Sequence, residues 1–353
     1  MRNDGLPAVS GWLMSPTPRI TVLMAVYNGD RYLRAAVDSV LAQTQRDFEF
    51  LVVDDGSTDA TSRILSGYRD DRLRFVRNET NIGLTRSLNR GLELARGAFI
   101  ARMDADDICH PDRLARQLAF LEARPEVGVV GSGYVNIDSD GSPLFRSSFS
   151  GEHGFLLWYL FFQNPIAHPT VLMRTDLVRK AHGYREEVRF GQDHDLWWRL
   201  ALQTRLSNLP EPLLRLRHHA HSITSRHTHE QQALCARLQH EMLPHVLGRE
   251  RADAFRAGVE AEESLLARRI RFIVELLNAY GASRSLTPLE KHLVARDAAF
   301  RLGVLALQHP GQGRTLCLIG RAHRLDSLAG LRVLAWPLKR YLLRHVTNCV
   351  LRK

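Results

Sequence analysis

The stretch Ile20-Thr21-Val22-Leu23-Met24-Ala25-Val26-Tyr27-Asn28-Gly29 decides the fold. Its first seven residues are apolar or β-branched without a break, the composition of a strand covered on both faces. Tyr27-Asn28-Gly29 then supplies a turn. Outward from there the same alternation repeats. Tyr32–Leu41 carries Leu33, Ala36, Val37, Val40 and Leu41 at helical spacing, and Phe48–Val53 is a second strand ending in a polar, glycine-containing turn. Ala60–Leu65 reads as helix, Leu73–Val76 as strand, Leu84–Ala95 as helix and Ala98–Met103 as strand. Strands alternating with helices build right-handed βαβ units and a mostly parallel sheet. Such sheets take their ligands at the carboxyl ends of the strands. Those ends are where the polar residues gather: Asn28, Asp54-Asp55-Gly56-Ser57 and Asp104-Ala105-Asp106-Asp107.

Residues 1–18 read as a loose extension. From Arg113 to about Arg226 helices (Arg113–Ala123, Leu196–Leu202) mix with short strands (Val127–Val130, Val171–Arg174, Leu213–Leu216), and beyond His229 strand signals fade into Ala/Leu/Arg/Glu-rich helical segments. The expected division is therefore 1–18, a catalytic α/β domain over 19–228 and a helical, basic region over 229–353. The 353 residues are 44% hydrophobic and 24% charged, an ordinary globular composition, and no uncharged apolar run is long enough to span a bilayer. Cys109, Cys235, Cys317 and Cys349 are too scattered for a disulfide framework or a cysteine zinc site. Pro7, Pro16, Pro18 and Asp4 interrupt any leader-like segment, so a reducing cytoplasm is the expected location. The net charge of +10 is uneven: residues 301–353 hold ten basic side chains and one acid, Asp326, and the rest is nearly neutral.

Two carboxylates in the Asp104-Ala105-Asp106 turn converge on one cation if both face the same side. Hard ions such as Mg²⁺ or Mn²⁺ prefer carboxylates plus phosphate oxygens. Taken alone the pair also fits a solvated acidic turn. Val22–Gly29, Val52–Asp59 (Val-Val-Asp-Asp-Gly-Ser-Thr-Asp), Asn81-Ile82-Gly83 and Asp104-Ala105-Asp106-Asp107 occur in order, each at or just beyond a strand end. Together they resemble the family 2 glycosyltransferases, inverting enzymes of GT-A fold, and among them those of bacterial cell-surface polysaccharide synthesis. The resemblance spans about residues 19–225. It implies a nucleotide-binding, mixed but mostly parallel sheet flanked by helices. It also implies that Ala25, Tyr27 and Asn28 pack around the nucleotide and that Asp55, with Asp54 beside it, accepts a hydrogen bond from the base. Asp104 would lie near the ribose and Asp106 would hold a metal on the diphosphate. Arg86, just past the Asn81–Leu84 turn, is either a phosphate contact or an exposed helix arginine.

A second constellation, Phe190-Gly191-Gln192-Asp193-His194-Asp195-Leu196-Trp197-Trp198-Arg199-Leu200, resembles the acidic motif that opens the family's acceptor-side helix, with Gln192 in place of a frequent Glu. Asp193 then matches the catalytic base that takes the acceptor hydroxyl's proton, and Asp195 looks structural. Asn164-Pro165-Ile166-Ala167-His168-Pro169-Thr170 resembles the segment under the acceptor site, where His168 either faces the acceptor or is a hydrogen-bonded structural histidine. His182-Gly183-Tyr184 matches a Gly-Gly-Tyr pattern, and a histidine in the first position predicts that residue 182 is not left-handed. Leu216-Arg217-His218-His219-Ala220-His221-Ser222 fits the segment closing the family's catalytic domain, making His219 a candidate contact for the metal-diphosphate.

The expected function is transfer of a sugar from a nucleotide-diphosphate sugar, with UDP as the expected nucleotide, to a hydroxyl of a saccharide or lipid-linked saccharide. The chain has neither Gly-x-x-x-x-Gly-Lys nor Gly-x-Gly-x-x-Gly, which argues against ATPases and dinucleotide oxidoreductases. A sugar nucleotidyltransferase is the enzymatic alternative, but Tyr27-Asn28-Gly29-Asp30 is not its glycine-rich phosphate loop. A nucleic-acid binder using the basic tail is the non-enzymatic alternative; it leaves the acidic turns without a purpose, so no nucleic acid is expected. Leu331, Leu334, Leu338, Leu342 and Val346 recur at helical intervals among the C-terminal arginines and lysines. Two readings stand for that pattern: an interfacial helix on an anionic membrane surface, or a helix packed on the catalytic domain.

Overall fold

The computed structural model describes residues 17–188, 190–219, 228–262, 264–283 and 285–308. In chain order the first part runs β1 (Ile20–Val26), α1 (Asp30–Leu41), β2 (Phe48–Asp54), α2 (Thr61–Ser66), β3 (Leu73–Arg77), α3 (Leu84–Leu94), β4 (Phe99–Met103), β5 (Ile108–Cys109) and α4 (Arg113–Glu122). It continues through β6 (Val127–Ile137), β7 (Pro143–Ser147), α5 (His153–Leu160), a 3-10 turn (His168–Thr170), β8 (Leu172–Arg174), α6 (Thr175–Lys180), α7 (Gln192–Ala201) and β9 (Arg205–Arg217). Four helices follow: α8 (Thr228–Leu247), α9 (Arg249–Glu260), α10 (Leu265–Ser283) and α11 (Pro288–Gln308).

The described strands form one sheet in the order β3-β2-β1-β4-β8-β6-β9-β5, with β7 on β6. β1 to β4 pair in parallel, β8 runs against both β4 and β6, and β6 and β9 are parallel. The carboxyl ends of β1, β2, β4, β6 and β9 therefore share one edge with the amino end of β8. Ile20, Val22, Met24 and Val26 of β1 join Phe48, Phe50 and Val52 of β2 on one face of the sheet. Leu33, Ala36, Val37 and Val40 of α1 and Leu114, Leu118 and Leu121 of α4 cover that face. Each such aliphatic side chain stabilises the fold by roughly 1.5–3 kcal/mol through removal from water.

β6 and β9 run longer than their apolar patterns predict. Glycines at 128, 131 and 133 blur the alternation of β6, and Pro210 and Pro212 interrupt that of β9. Between the pairs Ser132↔Leu209 and Gly133↔Pro212 two residues of β9 bulge out, which admits prolines that a regular ladder would not.

The expectation for His182 is overturned: its φ is 59°. α6 ends with the His182 N–H donating to Arg179 O at 2.9 Å and the Gly183 N–H to Val178 O at 3.0 Å. That pair of bonds requires a left-handed residue at 182 whatever its side chain.

The described residues fall into two compact units, one of residues up to 156 with 163–235, the other of 157–162 with 236 onward. In the second, the Trp158 Nε1–H donates to Asp297 at 2.8 Å, and the Arg301 guanidinium lies 3.8 Å from the Phe162 ring centroid. Among the described residues no helix is long and apolar enough to cross a membrane. Most of the expected N-terminal extension, and the apolar-basic pattern over 331–353, lie outside the described residues.

Candidate active site

The turns after β1 and β2 are laced together. Asn28, at a φ of 51°, donates its N–H to Ser57 Oγ at 3.0 Å and accepts at Oδ1 from the Thr58 N–H at 2.8 Å. Asparagine suits this place because its short amide tolerates the left-handed region. Gly56 takes a φ of 73°, and a Cβ there would meet Thr80 C at 2.6 Å, so only glycine lets this turn pass the loop before α3. Asp54 is fully buried, accepting from the Ser57 N–H and the Ser62 hydroxyl. Asp55 accepts from the amides of Ile82 and Gly83, each at 2.9 Å, and from Asn78 Nδ2 at 2.6 Å. Three of its four acceptor positions are thus used in shaping the loop, and one remains. Ala25 is buried beside this edge, whereas Tyr27 is 49% exposed and offers a ring face to solvent. Arg86 pairs with Glu186 at 2.9 Å on the surface.

Beyond β4 the acids crowd together. Carboxylate oxygens of Asp104, Asp106 and Asp107 all lie within 4.8 Å of one another. Arg102, fully buried near the end of β4, forms an ion pair with Asp104. Asp107 takes the Arg217 N–H at 2.8 Å on Oδ1, while its Oδ2 is buried with no hydrogen-bond partner among the described residues. Burial, then the charges of Asp106 and Asp104, hold the Asp107 carboxyl well above the usual carboxylate range. Burial also raises Asp104, against the opposing pull of Arg102. Arg217 donates through Nε to Asp106 O at 2.9 Å and lies 4.5 Å from the Tyr32 ring centroid. Two residues on, His219 Nε2 meets Asp106 Oδ2 at 2.8 Å. An orphaned buried carboxylate oxygen among three hard donors is what a divalent cation needs, so Mg²⁺ or Mn²⁺ fits these residues.

Asp193 stands in the first turn of α7, after a left-handed Gly191 with a φ of 77°. A side chain at 191 would run into Leu234, so the entry to this helix also depends on glycine. Asp193 Oδ1 accepts from the His194 N–H at 2.9 Å and Oδ2 from Asn164 Nδ2 at 2.7 Å. Burial pushes its carboxyl up to about 6, while the amides and the nearby Arg102 hold it back. His168 Nε2 meets the Tyr184 hydroxyl at 2.8 Å, and burial holds the imidazole well below its usual range, so it stays neutral. Asp195 is fully buried between Arg199 at 2.8 Å and Arg185 at 3.1 Å, and Arg199 in turn donates to the carbonyls of Ala181 and Gly183.

The sheet thus brings Asp104, Asp106 and His219 to one place, with Asp54 and Asp55 inside the neighbouring turns. Asp193 lies within electrostatic reach of Arg102. Sequence reasoning had assigned no role to Asp107, Arg102 or Arg217. A charged residue inside the otherwise apolar β4 is the signal for Arg102; β9, which also carries Arg205, Glu211 and Arg215, offers none for Arg217.

An acidic cluster that suits a divalent cation and the buried Asp193 carboxylate, on one α/β scaffold, are groups that glycosyl transfer can use. Comparison with known proteins agrees. The profile of Glycosyl transferase family 2 matches residues 21–186. The glycosyltransferase EpsE of Bacillus subtilis is 37% identical over 211 residues, 58% of this chain and 74% of that one. The amylovoran biosynthesis glycosyltransferase AmsE of Erwinia amylovora is 31% identical, over 56% of this chain and 75% of that one. The crystal structure of S. aureus TarS 1-349 in complex with UDP-GlcNAc superposes with a TM-score of 0.54 at 20% identity, covering 88% of this chain and 90% of that one. The chain belongs to glycosyl transferase family 2 and is a glycosyltransferase.

Proposed function

We propose that the protein is an inverting glycosyltransferase that moves a sugar from a UDP-sugar to a hydroxyl of a saccharide or lipid-linked saccharide in cell-surface polysaccharide or glycolipid synthesis. The observation that carries this reading is Asp193: a buried carboxylate with its pKa raised to about 6, suited to take a proton near neutral pH. Asp193 removes the acceptor's hydroxyl proton, the freed oxygen bonds to the anomeric carbon, and the carbon–oxygen bond to the diphosphate breaks. One displacement with one base inverts the configuration.

Tyr27, Ala25 and Asn28 line the nucleotide's place, Asp55 supplies the remaining acceptor position to the base, and Asp104 lies toward the ribose. Asp106, Asp107 and His219 would hold Mg²⁺ or Mn²⁺, which neutralises the charge that develops on a departing diphosphate. The pairing of Arg86 with Glu186 leaves its phosphate role dependent on release from that partner. The likeness to a UDP-GlcNAc-bound fold supports a UDP-sugar donor, and the relationship to AmsE supports polysaccharide synthesis. A cytoplasmic location, with the basic residues of 301–353 against an anionic membrane surface, suits a lipid-linked acceptor; anionic-vesicle binding that weakens with salt tests it.

Asp193→Asn tests the reading. The near-isosteric change retains the fold and UDP binding while transfer falls by roughly 10²-fold or more. NMR of the product's anomeric proton shows inversion. A retained configuration, or a variant of near-normal rate, overturns the assignment.

A further inference from the structure

The loop that carries Asn164 is built around the base. The Asn164 Oδ1 accepts from the Ile166 N–H at 3.0 Å, which fixes the orientation of the amide: Nδ2 is left as the donor, and it meets Asp193 Oδ2 at 2.7 Å. A carboxylate only accepts, so this contact favours its ionised form. The loop itself is clamped. Trp197, four residues after Asp193 on α7, donates its Nε1–H to Ile166 O at 3.1 Å. From the sheet, Asn208 Nδ2 donates to Pro165 O at 3.3 Å. The same helix therefore holds the base and the loop that holds the base, and the two cannot shift independently.

We propose that Asn164 is a positioning residue for transfer, its amide fixing the Asp193 carboxylate so that the remaining lone pairs face the acceptor hydroxyl and keeping it the proton-accepting anion. The proposal rests on Asp193 being the base.

The charged and titratable groups around Asp193 are few. Arg102 of β4 is a buried, permanent cation. Tyr184 is a buried phenol with its pKa pushed above the ordinary range, and His168 behind it is held neutral. On α7 the neighbour is His194, whose backbone N–H makes the printed contact with Oδ1. Asp107, also raised, is common to wild type and both Asn164 variants, so the displacement of the acid limb between them reports Asp193, and His194→Gln serves as the control for its neighbour.

The experiment is the pH profile of kcat/KM for full-length wild type, Asn164→Asp, Asn164→Ala and Asp193→Asn. UDP affinity and melting temperature are measured alongside. Asn164→Asp keeps an oxygen for the Ile166 N–H, so the loop is retained, and it replaces the donor by a second carboxylate beside Asp193. It raises the acid limb by about two to three pH units, which lowers the rate at pH 7 by roughly 10–100-fold, and much of the loss returns at about pH 9. Asn164→Ala raises the limb less, and UDP affinity holds in both. An acid limb left at its wild-type position in both Asn164 variants overturns the proposal, whether the rate is lost equally at every pH or not at all. An Asp193→Asn enzyme of normal rate instead overturns the base assignment itself, so the two failures are distinguishable.

Discussion

At the amino edge of the sheet Glu49 is 3% exposed, and at the carboxyl edge Asp107 is 2% exposed, yet their carboxyl groups titrate in opposite directions. Burial pushes both up. At Glu49 it is outweighed by the Thr21 hydroxyl at 2.7 Å, the Arg96 N–H at 2.7 Å, and the guanidinium groups of Arg96 at 2.8 Å and Arg74 at 2.9 Å. The net effect lowers Glu49 below the usual range. At Asp107 two more aspartates stand beside it, the Arg217 N–H on Oδ1 and the charge of Arg102 oppose them, and Oδ2 has no partner among the described residues. The same sheet thus spends one buried acid on cohesion and holds another, Asp107, in repulsion with the partly exposed Asp104 and Asp106. Sites of the second kind cost stability and mark function.

The largest expected effect breaks the carboxyl edge. Asp106→Ala abolishes turnover, and chelator does the same to wild type, reversed by added Mg²⁺ or Mn²⁺. The variant's melting temperature stays level or rises, since one of three repelling carboxylates is gone. Full wild-type activity in excess chelator, or a variant that unfolds, would remove the contrast between the two edges.

The amino edge gives the converse. Glu49→Gln leaves two arginines without their carboxylate. Breaking a buried ion pair costs about 3–5 kcal/mol, reduced to roughly 2–3 here because both guanidinium groups also reach water. UDP affinity is unchanged. The sign follows from the lowered pKa: Glu49 contributes stability that is present above the unfolded carboxylate value, near 4.5, and lost as pH falls through its folded value. Urea melts from pH 7 down to about pH 3 therefore show wild type and variant converging in acid. A constant difference across that range would place the effect in packing rather than charge.

The same contrast explains what was legible in the sequence. Strand ends bearing Asn28, Asp55, Asp104 and Asp106 stood out because apolar runs of β1, β2 and β4 stop abruptly at polar turns. Tertiary pairings did not stand out. Arg217 reaches Asp106 across 111 positions of chain, and Asn164 reaches Asp193 across 29. No local periodicity encodes such distances. His219 was placed by its family segment alone, and its contact with Asp106 spans 113 positions. The full lengths of β6 and β9 are hidden for a different reason: glycines blur the alternation of β6, and the prolines of β9 are admitted by the bulge in that strand.

The smallest effect tests whether strain, like charge, is concentrated near the site. His182 holds a left-handed φ of 59° at the end of α6, next to the carbonyls that Arg199 binds while paired with buried Asp195. A non-glycine residue there costs on the order of 1–2 kcal/mol. Glycine removes that cost but loses more backbone entropy on folding, roughly 0.5–1 kcal/mol. The balance favours His182→Gly by about 0.5–1 kcal/mol, or up to a few degrees in melting temperature. His182 is exposed, so no packing is lost. If the variant melts higher with kcat/KM unchanged, the strain is incidental and the cost of function lies in the acids alone. If it melts higher and transfers more slowly, the strained turn belongs with Asp195 and Arg199 to the acceptor side. A lower melting temperature would mean that the imidazole makes a stabilising contact that outweighs its backbone.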